Sequence, residues 1–146
     1  MFKLETRYAL HAAVVLADND TLVPNAKLAE RLGVSLPMVA KIMNRLVQAD
    51  VVVSRPGPGG GYALARPAAQ IRLLEVVAPT EGSDWGQACL LGLAACDDAH
   101  PCALHSAWGR LREHIQTMLR ERTVAEMAAG VVDLDLKVVT GNAPPA

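Results

Sequence analysis

The chain has 146 residues, 51% of them hydrophobic and 20% charged, with a formal net charge of −1 and three cysteines. That length and apolar content suit one compact domain with a buried core, with or without an appended dimerisation element, and exclude a disordered chain. No uninterrupted apolar run is long enough to cross a bilayer, and the N-terminus lacks the apolar core of a signal peptide, so a cytoplasmic protein with no membrane association is expected. Two Trp, two Tyr and one Phe are too few for a base-stacking platform. The charge is unevenly spread: the stretch from Thr21 to Arg72 carries +5 and the remainder −6. Such asymmetry suits a phosphate-facing half joined to a half that does not bind.

From Glu5 to Ala17 the apolar residues Tyr8, Ala9, Ala12, Val15 and Leu16 recur at helical spacing, which predicts an amphipathic helix. Asp18-Asn19-Asp20 ends it, and Leu22-Val23-Pro24 reads as a short extended link. Asn25 is placed to cap a short helix containing Leu28, Ala29 and Leu32, with Gly33 just past its end. Ser35 then caps a further helix with Pro37 in its first turn. In that helix Val39, Ile42, Met43 and Leu46 form the inward stripe, leaving Pro37, Met38, Ala40, Lys41, Asn44, Arg45 and Gln48 outside. Two short helices joined by a glycine-containing turn, the second with a polar and basic outer face, form a helix-turn-helix pattern.

Val51 to Val53 reads as a strand, residues 54–61 as a glycine-rich loop, and Tyr62 to Leu64 as the returning strand. A phosphate cradle is excluded, because no Gly-Lys-Ser/Thr ending and no following helix are present. The order helix, turn, helix, hairpin is that of a winged helix-turn-helix, whose helix enters the major groove while the wing reaches backbone or minor groove. The expected fold class is therefore mainly α with a small β-hairpin wing. Beyond the wing, Gln70 to Arg72 reads as a short strand, Leu73 to Ala78 as a helix stopped before Pro79, and Thr80 to Gln87 as a loop. A long helix is predicted from Ala103 to Arg122 on Leu104, Trp108, Leu111, Ile115, Met118 and Leu119, with one or two more turns at 124–129 and a loose tail at 130–146. That helix is too long for a small domain to bury on both sides, so its stripe is expected to pack on a second copy.

Every cysteine lies between Cys89 and His105. The spacing is C-x6-C-x5-C, with a histidine after two more residues, which supplies three soft ligands and one imidazole. Such a set can close a four-coordinate zinc site or hold an iron–sulfur cluster; the spacing alone is equally that of three free thiols. No paired carboxylates, nucleophile–base arrangement or nucleotide loop is legible, so an enzyme is not expected.

On Arg7-Tyr8-Ala9, on Leu28-Ala29-Glu30-Arg31-Leu32-Gly33-Val34-Ser35, on Gly57-Pro58-Gly59-Gly60-Gly61-Tyr62, and on the three cysteines trailed by Trp108, residues 1–129 resemble the Rrf-type family of bacterial winged-helix regulators. The resemblance implies a homodimer that binds a partly palindromic DNA operator and carries one iron–sulfur cluster per subunit beside the dimerisation helix. It implies Cys89, Cys96 and Cys102 as ligands. Members differ in the fourth ligand: some use a carboxylate just before the first-helix tyrosine, a position held here by Arg7, which cannot ligate iron, and IscR-like ones use a histidine shortly after the last cysteine, so the resemblance implies His105 as the candidate fourth ligand. Such a set favours a two-iron cluster, with a four-iron cluster as the other form. On this reading residues 1–78 form the DNA-binding domain, 79–102 a sensor loop and 103–129 the dimerisation helix. Ser35, Pro37, Lys41, Asn44, Arg45, Gln48, Arg55, Gly59 and Gly60 would face DNA. The alternatives are a cluster-free thiol redox switch and a small redox protein on the same scaffold.

Overall fold

The computed structural model describes residues 2–82, 84–93, 96 and 98–130. Among these residues six α-helices and one hairpin follow in the order α1 (Leu4–Ala17), α2 (Asn25–Leu32), α3 (Leu36–Gln48), β1 (Val52–Arg55), β2 (Gly61–Leu64), α4 (Leu73–Glu81), α5 (His105–Glu121) and α6 (Val124–Gly130). The expected class, mainly helical with a two-stranded wing, is the one observed.

Helix α1 is the centre of the molecule. Its neighbours are α2, α3, α4, α6 and β2, and Ala12, Ala13, Val14, Val15 and Leu16 are all buried in succession. The one-sided stripe expected from the sequence is thus too narrow. Ala9, Ala12 and Ala13 have no side chain beyond Cβ, so neighbours approach from several directions and the helix is covered nearly all round.

Helix α2 ends as predicted, with Gly33 in the left-handed region at φ 67°. Its start differs: Pro24 occupies the cap position and Asn25 is already helical, because the Pro24 carbonyl accepts the first helical hydrogen bond, from Leu28. Ser35 caps α3, accepting from the Met38 amide at 3.4 Å, and Pro37 sits in the first turn. Val39, Ile42, Met43 and Leu46 are fully buried, each contributing ~1.5–3 kcal/mol.

The wing is an antiparallel pair in which Val52 faces Leu64 and Arg55 faces Gly61. It is held to the body by a bridge absent from the sequence reading. Val23 donates to the Tyr62 carbonyl at 2.8 Å, and the Tyr62 amide donates back at 2.9 Å. Gly61 makes the approach: its φ is +148°, and a Cβ there would stand 2.6 Å from the Val23 carbonyl carbon.

Helix α4 continues through Pro79 to Glu81 rather than stopping at Ala78. Proline removes only the donor to the Glu75 carbonyl, and the turn closes around that gap. The Thr80 hydroxyl donates to Val77 O at 3.0 Å, and Gly82 N donates to Ala78 O at 3.1 Å. The loop expected at 80–87 is therefore helical at its start, and Trp85–Gln87 forms a 3-10 turn. The strand expected at 70–72 is a 3-10 turn over Ala68–Gln70 followed by one bridge from Arg72 to Thr123.

Thr123 recaps the chain after α5. Its amide donates to the Glu126 carboxylate at 2.7 Å, and the Glu126 amide donates to its hydroxyl at 3.1 Å, a reciprocal capping box. Leu119 and Val124 are thereby buried in the common core. Gly130 closes α6; the rest of the expected tail lies outside the described residues. Among the described residues no helix is long and apolar enough to cross a membrane.

Candidate functional site

Helix α3 presents Pro37, Asn44 and Gln48 as exposed side chains on the face opposite its buried stripe. Lys41 lies on the same face, and Arg45 on its flank. Both cations are engaged by one carboxylate: Lys41 Nζ lies 2.6 Å from Glu5 Oε1, and Arg45 Nη1 lies 2.9 Å from Glu5 Oε2. Arg45 also donates to the Thr80 carbonyl at 3.3 Å. The Lys41 hydrogen bond holds the Glu5 carboxyl below its ordinary value of 4.5, against partial burial, with the charges of Arg45 and Lys3 adding to the lowering. Side-chain exposure is 53% for Lys41 and 36% for Arg45, so each pair contributes only ~0–1 kcal/mol.

In the wing, Arg55 is exposed at the end of β1. Gly59 lies at the tip with φ +71°, whereas Gly60 is packed inward, donating to the Gly57 carbonyl at 3.0 Å. A Cβ on Gly60 would collide with the Arg55 backbone, so glycine there is required by the turn itself.

The cysteine segment lies against the first turns of α5. Just before it, Gln116 donates to Gly86 O at 2.7 Å, and Trp108 donates to Ala88 O at 2.9 Å. Cys89 then begins a turn in which Gly92, at φ +73°, donates to the Cys89 carbonyl at 3.1 Å. Hydrogen bonding from the Leu93 amide, and then from that of Leu91, holds the Cys89 thiol below its ordinary value of 9.0 against partial desolvation, with the Cys96 side chain and the Gly92 amide adding to the lowering. Cys96 Sγ lies 3.4 Å from His105 Nδ1, and His105 Nε2 lies 2.9 Å from Asp98 Oδ1. Cys102 is half-buried, and its carbonyl accepts from the His105 amide at 3.0 Å. Cys89, Cys96 and His105 are thus brought into one chain of contacts, with Cys102 joined through the backbone. Among the described residues, no three Cys, His, Asp or Glu side chains converge on one point as a closed metal site would require.

The segment also abuts the start of α1. Phe2 and Trp85 meet edge to face at 5.9 Å, and the Lys3 amide donates to the Glu81 carboxylate at 2.6 Å. A cavity of about 600 Å³ lies here, between Phe2, Trp85, Cys89, Trp108 and Arg112.

Residues 2–130 match the family described as Rrf2, iron-dependent transcriptional regulator. The chain belongs to the Rrf2 family. It is similar to the HTH-type transcriptional regulator IscR of Yersinia pestis, 35% identical over 123 residues that span 83% of this chain and 74% of the relative. IscR of Cronobacter sakazakii is 33% identical over 132 residues, or 89% of this chain and 81% of that one. Among solved structures, T. potens IscR matches with a TM-score of 0.70 at 26% identity, over 89% of this chain and 87% of its own. CymR, the global cysteine regulator of B. subtilis, matches with a TM-score of 0.74 at 20% identity, over 90% and 98%, a likeness of fold alone. The Rrf2 chain is accordingly a DNA-binding transcriptional regulator of the IscR type, a class without catalytic activity.

Two contributors to this Rrf2 site escaped the sequence reading. Glu5 is an acid in the first turn of α1, with nothing local to distinguish it from a surface charge; its two partners lie 36 and 40 residues away. Thr80 acts through its carbonyl, which carries no sequence signal. Asp98 is legible in the sequence, with Asp97 and His100, as a spare ligand or a solvated loop residue near the cysteines, but not as the partner of His105.

Proposed function

We propose that this Rrf2 regulator senses iron, cluster or redox status, or nitric oxide, through an iron–sulfur cluster held by Cys89, Cys96, Cys102 and His105. The observation that carries the reading is the contact of Cys96 Sγ with His105 Nδ1 at 3.4 Å, which sets a thiol against the imidazole, while neighbouring amides hold the Cys89 thiol low. The donor set fits: three thiols and an imidazole suit a two-iron cluster better than a four-iron one. Loading would draw Cys102 in beside the other three, and Asp98 would orient the His105 ring through Nε2. When bound, the cluster would supply a state-dependent charge and a fixed loop geometry.

On the DNA side, Pro37, Asn44 and Gln48 would meet the major groove, with Lys41 beside them on the same face. Ser35 would lie near a phosphate, Arg45 would hold the flank of the helix, and Arg55, Gly59 and Gly60 would reach along the wing. Residues 1–78 would be the DNA-binding domain, 79–102 the sensor segment and 103–129 the dimerisation helix. Two copies would meet through α5, where Leu104 at its cap and Leu111 and Met118 within it recur every seven residues and are 45%, 48% and 44% exposed. That seam is the one a second helix covers in a coiled coil. A symmetric dimer presents two α3 helices to a partly palindromic operator, in the compartment that holds the DNA.

The test is anaerobic reconstitution followed by visible and EPR spectra, with iron and sulfide assays on the same sample. A two-iron spectrum altered in His105→Ala supports the ligand set, and a four-iron spectrum indifferent to that change counts against His105. A cluster-free thiol switch is favoured by one observation, the Cys96–His105–Asp98 relay beside Cys89. Colourless protein that still binds its operator would select it.

A further inference from the structure

Lys41 and Arg45 are the only charged residues of α3, whose sequence is LPMVAKIMNRLVQ. Both oxygens of the Glu5 carboxylate are used on them, one oxygen to each cation. A single acid contributed by α1 therefore offsets half of the formal charge of the recognition helix.

The two cations are not held alike. Arg45 has a second anchor on the Thr80 carbonyl at the end of α4, so α1, α3 and α4 meet at its guanidinium. Lys41 is more exposed, and among the described residues its Nζ is anchored by Glu5. Its flexible stem carries a compact ammonium that exchanges one oxyanion for another without the bidentate geometry that fixes Arg. A DNA phosphate brought to this face is such an oxyanion.

We infer that Glu5 is a carboxylate competitor for the DNA phosphate, which withholds Lys41 from the operator and sets how many phosphates α3 neutralises, while Arg45 is a positioning residue. The inference rests on the reading of α3 as the DNA-facing helix. Release of Lys41 adds one phosphate contact, and removal of Glu5 also deletes an anion that repels the duplex. Glu5 thereby limits the affinity of the regulator and softens its response to salt.

The experiment is fluorescence anisotropy of the full chain on a duplex that it has itself selected from a random-sequence pool, titrated over a range of salt. Glu5→Gln should bind more tightly, with log K falling more steeply against log[salt] by about 0.9, about a 3.5-fold larger loss between about 50 and about 200 mM salt. Glu5→Ala should act in the same direction, and thermal melts report whether either variant is folded. In a Lys41→Gln background the same change at Glu5 should leave the slope unaltered. A folded Glu5 variant with the wild-type slope, or an equal steepening without Lys41, overturns the inference and leaves DNA binding intact. Wild-type protein that selects no duplex and shows no salt-dependent binding overturns the reading of α3 itself.

Discussion

Replacing Gly61 by alanine should undo the attachment of the wing. The Val23 and Tyr62 backbones exchange two hydrogen bonds, at 2.8 and 2.9 Å, across a gap that admits no side chain. A Cβ on residue 61 would lie 2.6 Å from the Val23 carbonyl carbon and 2.9 Å from Pro24 N. Since the obstacles are backbone atoms, no rotamer change relieves them, and the bridge must open. Two net hydrogen bonds at ~1 kcal/mol each, with added strain at a positive φ, give a loss of roughly 2–4 kcal/mol. For a domain of this size that is a fall in melting temperature of about 10 °C. Gly57→Ala is the control: its φ is +84°, but nothing lies within 4 Å of a new Cβ, so only the left-handed penalty of about 1–2 kcal/mol applies. Denaturant unfolding of the two variants separates the terms. Equal destabilisation would refute the collision and reduce the requirement at Gly61 to φ alone.

Cys89→Ala, Cys96→Ala and Cys102→Ala should each abolish the visible absorbance of reconstituted protein; a retained spectrum removes that residue from the ligand set. Leu111→Glu or Met118→Glu should convert a dimer to a monomer in light scattering without lowering helicity, because both side chains are exposed in the single chain. Leu46→Ala should cost ~2–5 kcal/mol in unfolding experiments, as a fully buried side chain of the α3 stripe. His11 is half-buried, with an unpartnered Nδ1, and burial holds its pKa below the ordinary 6.5. The unfolded chain therefore takes up a proton near pH 6.5 that the folded chain refuses. Stability is full above that pH and declines as pH falls toward the folded value. His11→Gln should flatten that part of the stability curve, and an unchanged curve would exonerate the histidine.

The elements that were legible in the sequence are those fixed by local chemistry. Gly33, Ser35 and Pro37 bracket the turn between α2 and α3 through interactions a few residues long, and the Val39, Ile42, Met43, Leu46 stripe needs only helical periodicity. The wing was legible from its β-branched and glycine content, but its anchorage at Val23 was not, because Val23 and Tyr62 are far apart in sequence and carry no pairing signal. Pro79 misled because a proline excludes one hydrogen bond, whereas the helix end is decided by how the next carbonyls are satisfied, here by Thr80 and Gly82. The same limit applies to the candidate site. The cysteines and His105 offer three soft donors and an imidazole by type, though their spacing is equally that of free thiols, and Asn44 and Gln48 follow from the face opposite the core. The engagement of Lys41 and Arg45 by Glu5 depends on how α1 crosses α3, which no local pattern specifies.

The way α5 is mounted bears on how a local event at the cysteines could travel. Its last turn is buried with Leu119, and the Thr123–Glu126 box and Val124 fix the following turn to the core. Its first turn, at His105, rests against the cysteine segment. A helix of 17 residues is about 25 Å long, so a tilt of roughly 5° at the fixed end carries the far end about 2 Å. Mechanically α5 is a beam built in at one end, and its compliance is greatest where the cysteines are.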